Sequence, residues 1–174
     1  ITFENQFTKD LKVSGESHTG LFCNTMESGA ALKATFTTAA NAGKINVEAD
    51  AENADAGGFV GRMETDASLT AAGNSVTQVS SVFGNAGGLV GSATDGKISV
   101  KEGGNLTFAD MLTLKSASNK SDGGLIGEYT VTKGNEISYD LSGYKFNNIE
   151  VSGGGNAGGL FGVLRNNSTA KTMV

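Results

Sequence analysis

The chain has 174 residues, the size of one ordinary domain, and carries a formal net charge of -5 at pH 7 with its 13 basic residues scattered singly. No stripe of Lys and Arg exists to follow a phosphate backbone, so nucleic acid is not expected as a partner. Gly is abundant at 26 residues, Pro and Trp are absent and 38% of the residues are apolar, which excludes collagen and argues against disorder. Abundant Gly, Asn, Thr, Ser, Val and Ile instead suit many short strands joined by tight turns. The lone Cys23 cannot form an internal disulfide. No apolar run approaches the roughly 18 residues of a membrane helix, so no membrane insertion is expected. The sequence opens on Ile1 without Met or a signal-like stretch, and is expected to be a piece of something longer.

Taken in chain order, the sequence resolves into five imperfect units. The first holds an alternating segment, Leu11-Val13, then a degraded marker, Thr19-Gly20-Leu21-Phe22-Cys23, then Leu32-Ala34-Phe36. The second has Ile45-Val47, the marker Ala56-Gly57-Gly58-Phe59-Val60-Gly61, and Leu69 with Ala71. The third has Val76 to Val79, Ala86-Gly87-Gly88-Leu89-Val90-Gly91, and Ile98-Val100. The fourth has Leu112-Leu114, Asp122-Gly123-Gly124-Leu125-Ile126-Gly127, and Ile137-Tyr139. The fifth has Ile149-Val151 and Ala157-Gly158-Gly159-Leu160-Phe161-Gly162. Counting Gly20 as the second glycine of its marker, the spacings are 38, 30, 36 and 35 residues.

Period-2 alternation in Lys97-Ile98-Ser99-Val100-Lys101 and Asn148-Ile149-Glu150-Val151-Ser152 sends apolar side chains to one face. Ala30 to Ala34 is the nearest helical candidate, weakened by Gly29 and the Thr-rich run that follows. The predicted fold is an all-β, parallel β-solenoid of about five coils with roughly three short strands per coil, one domain over residues 1–174. Strands stacked about 4.8 Å apart would raise five coils by about 20–25 Å. A propeller blade needs four strands and a longer period.

The marker glycines, Gly57, Gly58, Gly61, Gly87, Gly88, Gly91, Gly123, Gly124, Gly127, Gly158, Gly159 and Gly162, read as structural, at a corner where a Cβ would clash or positive φ is required. A phosphate cradle fails on context, because no Lys-Ser or Lys-Thr follows and no helix starts there. Strict alternation would put Leu89 and Val90 on opposite faces, so one of them must be exposed, covered by a loop or placed at a bend. Two residues ahead of the first marker glycine stand Asp55, Asn85, Ser121 and Asn156. Stacked in register they could form a polar ladder; four separate turn-capping side chains is the preferred reading.

The Gly-Gly-hydrophobic-hydrophobic-Gly core at residues 57–61, 87–91, 123–127 and 158–162 resembles the GLUG motif of bacterial extracellular proteins, including adhesin-like and IgA-protease-type surface proteins. That resemblance implies an extracellular or cell-surface repeat region, often flanking a domain that does something else.

Catalytic candidates are weak. His18 and Cys23 could be imagined as a Cys/His pair, but Cys23 reads as a structural replacement at the last marker position. Glu48 with Asp50, or Asp50 with Glu52, could do acid/base work on a glycan, but they sit in an Ala- and Asn-rich loop. No catalytic, metal or cofactor residues are assigned. Phe36, Phe108, Phe146 and Tyr139 are expected as core stackers, and Tyr129 and Tyr144 as the better candidates for exposed carbohydrate contacts. The Thr residues do not recur at one repeat position, which ranks an ice-binding face low. The sequence therefore predicts a non-enzymatic structural or adhesive region whose loops, around residues 49–56, 101–105, 115–122 and 163–170, meet a protein or glycan ligand. The alternatives are an accessory or catalytic β-helix of a carbohydrate-active enzyme or protease, and a fibre subunit associating end to end.

Overall fold

The computed structural model describes residues 1–40, 42–100, 104–108, 112–133, 142–147, 149–153 and 155–168. Ile137-Tyr139 lies outside these. The described residues form a parallel β-solenoid with no helix. Ala30 to Ala34, the nearest helical candidate, enters the strand Ala31–Thr38, whose inward Ala34 and Phe36 alternate with outward-facing residues.

Each turn visits four sheets in succession. The first sheet stacks Thr2–Asn5, Ala31–Thr38, Ser68–Asn74, Leu106–Thr107 and Tyr144–Lys145, with Lys97–Val100 also paired to Ser68–Asn74. The second stacks Leu11–Gly15, Ile45–Ala49, Gln78–Ser81, Leu112–Lys115 and Ile149–Val151. The third is narrow, built from Thr19–Gly20, Ala56–Gly57, Ala86–Gly87, Ser121–Gly123 and Asn156–Gly158. The fourth stacks Cys23–Met26, Val60–Met63, Val90–Thr94, Ile126–Val131 and Phe161–Asn166. Among the described residues every pairing is parallel, giving five rungs.

The expectation of three strands per coil is corrected to four. The extra strand comes from the marker, which splits into two strands either side of a two-residue corner. Its first glycine ends the third sheet and its second hydrophobic residue opens the fourth. The corner also resolves where Leu89 and Val90 go: the bend between the sheets turns both inward, and both are wholly buried.

Register corrects the first unit as well. Gly20 pairs with Gly57, the first marker glycine, and Cys23 pairs with Val60. Leu21 therefore occupies the place of Gly58, and Cys23 is not the last marker residue. The first-rung corner adjusts to this side chain: Leu21 N–H donates to Gly58 O at 3.4 Å, whereas Gly58 N–H donates to Gly87 O at 3.1 Å.

The marker glycines other than Gly159 are required by close approach, since among the described residues positive φ in glycines occurs at Gly29 and Gly73 instead. A Cβ on Gly88 would lie 2.1 Å from Gly124 O of the next rung, and one on Gly87 would lie 1.9 Å from Val90 O within its own corner. Neither is a possible contact for a carbon and an oxygen.

Inside, columns of identical character fill the bore. Val13, Val47, Val79, Leu114 and Val151 stack along the second sheet. Phe59, Leu89 and Leu125 fill the corner at zero exposure. Burying one such Leu or Phe side chain contributes about 1.5–3 kcal/mol, and the repeat makes that contribution in every inner rung. Aromatic stacks occupy the first sheet and its exit: Phe3 on Phe36 at 5.7 Å and Phe108 on Phe146 at 4.6 Å between ring centroids.

Candidate functional site: the polar corner

The corner between the second and third sheets combines buried polar groups with loops of unequal length. Asp55, Asn85, Ser121 and Asn156 stand there in consecutive rungs and are bonded to one another, where the sequence favoured separate caps. Asp55 Oδ1 accepts both the backbone N–H of Asn85 at 2.8 Å and its side-chain amide at 2.9 Å. Asn85 Oδ1 accepts Ser121 N–H at 3.0 Å, and Asn156 Nδ2 donates to Ser121 Oγ at 3.4 Å. In the inner rungs the pattern follows from the parallel register: a side-chain oxygen of one rung receives the N–H of the rung above.

His18 is the first rung of this ladder, a role the sequence reading missed by aligning Gly20 one place out. Its Nδ1 lies 2.9 Å from the Asp55 backbone nitrogen and 3.3 Å from Asp55 Oδ2. The neutral ring accepts that N–H; the protonated ring would donate to the carboxylate instead. Ser92, from the fourth sheet, donates its hydroxyl to Asp55 Oδ2 at 2.6 Å. Burial pushes the Asp55 carboxyl up, but the bonds from His18, Ser92 and Asn85 outweigh it and hold it below its ordinary value.

Chemically this is a Ser–Asp–His order with the carboxylate in the middle. Ser92 gives its proton to a carboxylate, whereas an activated nucleophile needs its hydroxyl beside the base. The other carboxylate candidates are tied up differently. Glu48 is held below the usual carboxylate range chiefly by its 2.7 Å contact with Lys12, which is raised in turn. Among the described residues no group of three or more His, Cys, Asp or Glu side chains could hold a metal ion.

Asp122 is a second missed residue. It takes the place that Ala56, Ala86 and Ala157 hold in their rungs and is wholly buried beneath the fourth-rung loop. Oδ2 accepts Ser116 N–H at 3.1 Å, while Oδ1 has no hydrogen-bond partner among the described residues. Burial raises this carboxyl above its ordinary value, and the Ser116 hydrogen bonds offset only part of that.

On the outside of the corner, the loops at residues 50–54 and 116–120 flank the shorter third-rung loop, 82–84. Lys120 Nζ donates to Asn53 Oδ1 at 3.2 Å, linking the second and fourth rungs past the third. Beside this link Val82 and Phe83 are 46% and 49% exposed. A Val-Phe pair in a turn where the other units carry polar residues was the overlooked signal.

The two tyrosines proposed for ligand contact are corrected. Tyr129 is 4% exposed and donates its hydroxyl to Gly96 O at 2.7 Å. It alternates inward with Val131 in the strand Ile126–Val131. Tyr144 is 7% exposed and stacks near Phe108 and Phe146 at 6.4 and 6.1 Å. Phe36 and Phe108 are wholly buried, whereas Tyr139 is outside the described residues. Of the expected loops, residues 163–166 belong to the strand Phe161–Asn166, and 101–103 are outside the described residues.

Compared with protein-family models, curated proteins and solved structures, the chain matches none. Fold and site therefore rest on the geometry above.

Proposed function

We propose that this chain is a non-enzymatic structural and adhesive repeat region of a bacterial surface or secreted protein, presenting the loops of its polar corner to a protein or glycan ligand. The observation that carries the reading is the exposed Val82-Phe83 pair, set between two polar loops whose spacing the buried ladder fixes. An exposed aromatic on a rigid base, flanked by hydrogen-bonding side chains, is the arrangement of a contact hot spot. Rigidity matters because a loop that is already ordered loses little entropy on binding. The neighbouring Asp50, Glu52, Asn53, Asn119 and Lys120 supply donors and acceptors of both charges. The GLUG-like markers add support for a location outside the cell.

The test is a glycan array together with a panel of immobilised glycoproteins, probed with the wild-type chain and with Phe83→Ser and Val82→Ser. Retention of a ligand by wild type, weakened at least about tenfold in Phe83→Ser with unchanged thermal unfolding, supports the reading. Binding indifferent to both substitutions overturns it. So does hydrolysis of a bound glycan that depends on one carboxylate.

A further inference from the structure

The outermost described rungs, the first and the fifth, are complementary to each other. Among the described residues, first-rung and fifth-rung strands have a paired neighbour on one side only. Inward columns end in apolar side chains that are less buried than their middles: Val13 and Val151 are half-buried around wholly buried Val47, Val79 and Leu114. Cys23 and Phe161 likewise terminate the column through Val60, Val90 and Ile126.

Three outward columns end in opposite charges, whereas the column Thr25, Arg62, Ser92, Glu128 and Val163 ends in neutral residues. Along the second sheet, Lys12, Asn46, Gln78, Thr113 and Glu150 lie in register. In the first sheet a continuous column joins Phe3 to Tyr144, and the next residues outward are Glu4 and Lys145. In the fourth, a column joins Met26 to Leu164, followed by Glu27 and Arg165. All three columns place a charge at one end and its opposite at the other.

Gly159 adds an independent observation. A Cβ at the matching Gly58, Gly88 or Gly124 would fall 2.1, 2.1 or 2.0 Å from the next rung's carbonyl oxygen, yet at Gly159 it meets nothing within 4 Å among the described residues. The fifth rung carries the glycine that leaves room for a following rung's carbonyl.

We propose that copies of this chain associate head to tail, the fifth rung of one copy taking the first rung of the next as its continuation in parallel register. Glu150 then faces Lys12 of the next copy, Lys145 faces Glu4 and Arg165 faces Glu27, each about one strand spacing of 4.8 Å away. Lys12 and Arg165 already pair with Glu48 and Glu128 at 2.7 and 3.0 Å, so each would stand between two carboxylates. Such a contact is heterologous and does not close, so it yields a linear assembly advancing about 24 Å per copy. This goes beyond the adhesive reading and does not depend on it: a strict monomer that still binds a ligand would overturn only the head-to-tail contact.

The experiment is sedimentation velocity over a concentration series at low and high salt, with electron microscopy of the largest species. Wild type is expected to grow into linear assemblies that weaken with salt. Lys12→Glu and Glu150→Lys should each weaken association about twofold to fivefold, and the double variant, which restores opposite charges across the contact, should recover it. Gly159→Val should weaken it at least about tenfold while leaving monomer unfolding unchanged, because its Cβ meets the incoming rung and no described residue of its own chain. A monomer at every concentration up to about 1 mM, a closed dimer of fixed size, or assembly unmoved by Gly159→Val and by the charge exchange would each overturn the proposal.

Discussion

Alanine at Gly88 and at Gly159 is the same change at the same repeat position, and the structure predicts opposite results. At Gly88 the new Cβ would lie 2.1 Å from Gly124 O and 3.0 Å from the Phe108 ring. Relieving the first contact requires more than 1 Å of separation between rungs, given an ordinary carbon–oxygen approach of about 3.3 Å. That movement stretches the 3.1 Å bond from Gly88 N–H to Gly123 O and the 2.9 Å bond from Leu89 N–H to Leu125 O. Two buried backbone bonds weakened at about 1 kcal/mol each, with core strain of about 1–3 kcal/mol, give an expected loss of about 3–5 kcal/mol. At Gly159 no atom of the described residues lies within 4 Å of the new Cβ, so Ala should be neutral or stabilising by up to about 1 kcal/mol through the unfolded chain. Urea unfolding followed by far-ultraviolet circular dichroism, at concentrations and salt that keep the chain monomeric, reads both. A Gly88→Ala midpoint indistinguishable from wild type, or a Gly159→Ala loss as large as that of Gly88→Ala, would refute the close-approach account.

Asp55→Ala leaves the Asn85 N–H and side-chain amide without their acceptor, and should lower unfolding stability by about 2–4 kcal/mol in the same assay, with Asp55→Asn recovering part of it. The two buried carboxyls give the pH profile opposite slopes. Asp122, raised in the folded chain, makes stability rise as pH falls through its folded value toward the ordinary value near 4; Asp55, lowered, takes stability away as pH falls from there through its own folded value. Denaturant midpoints measured from neutrality downward should therefore pass through a maximum in mild acid, and Asp122→Asn should flatten the rise while leaving the acid-side loss. Tyr129→Phe removes the hydrogen bond to Gly96 O, and calorimetry should show a loss of about 1–2 kcal/mol.

Much of this fold was legible because the repeat imposes one environment on many residues. Ile45-Val47 and Leu112-Leu114 alternate so clearly that the second sheet could be drawn from them, and Asp55, Asn85, Ser121 and Asn156 stood out by position. What escaped depended on where the chain bends. Alternation assumes a straight strand, so it could not show that Gly58-Phe59 is a corner with strands on both sides. At Gly20 a single glycine was matched to the wrong member of a pair; that one-place slip hid His18 beneath Asp55 and misplaced Cys23. Residue type alone suggests exposed tyrosines, whereas phase places Tyr129 on the inward face it shares with Val131. Val82 and Phe83 escaped because a turn was expected to be polar.

The clash that forbids a side chain at Gly58, Gly88 or Gly124 comes in each case from the carbonyl of the following rung. Each of these inner units thus brings its own socket and relies on its successor only for backbone, while the first unit carries Leu21 at that place. An inner unit copied and inserted beside its like meets the same carbonyl above and the same glycine below. Array length is then a quantity that genetic duplication or deletion of inner units can alter in steps of one rung, with the corner glycine already in place at the joins.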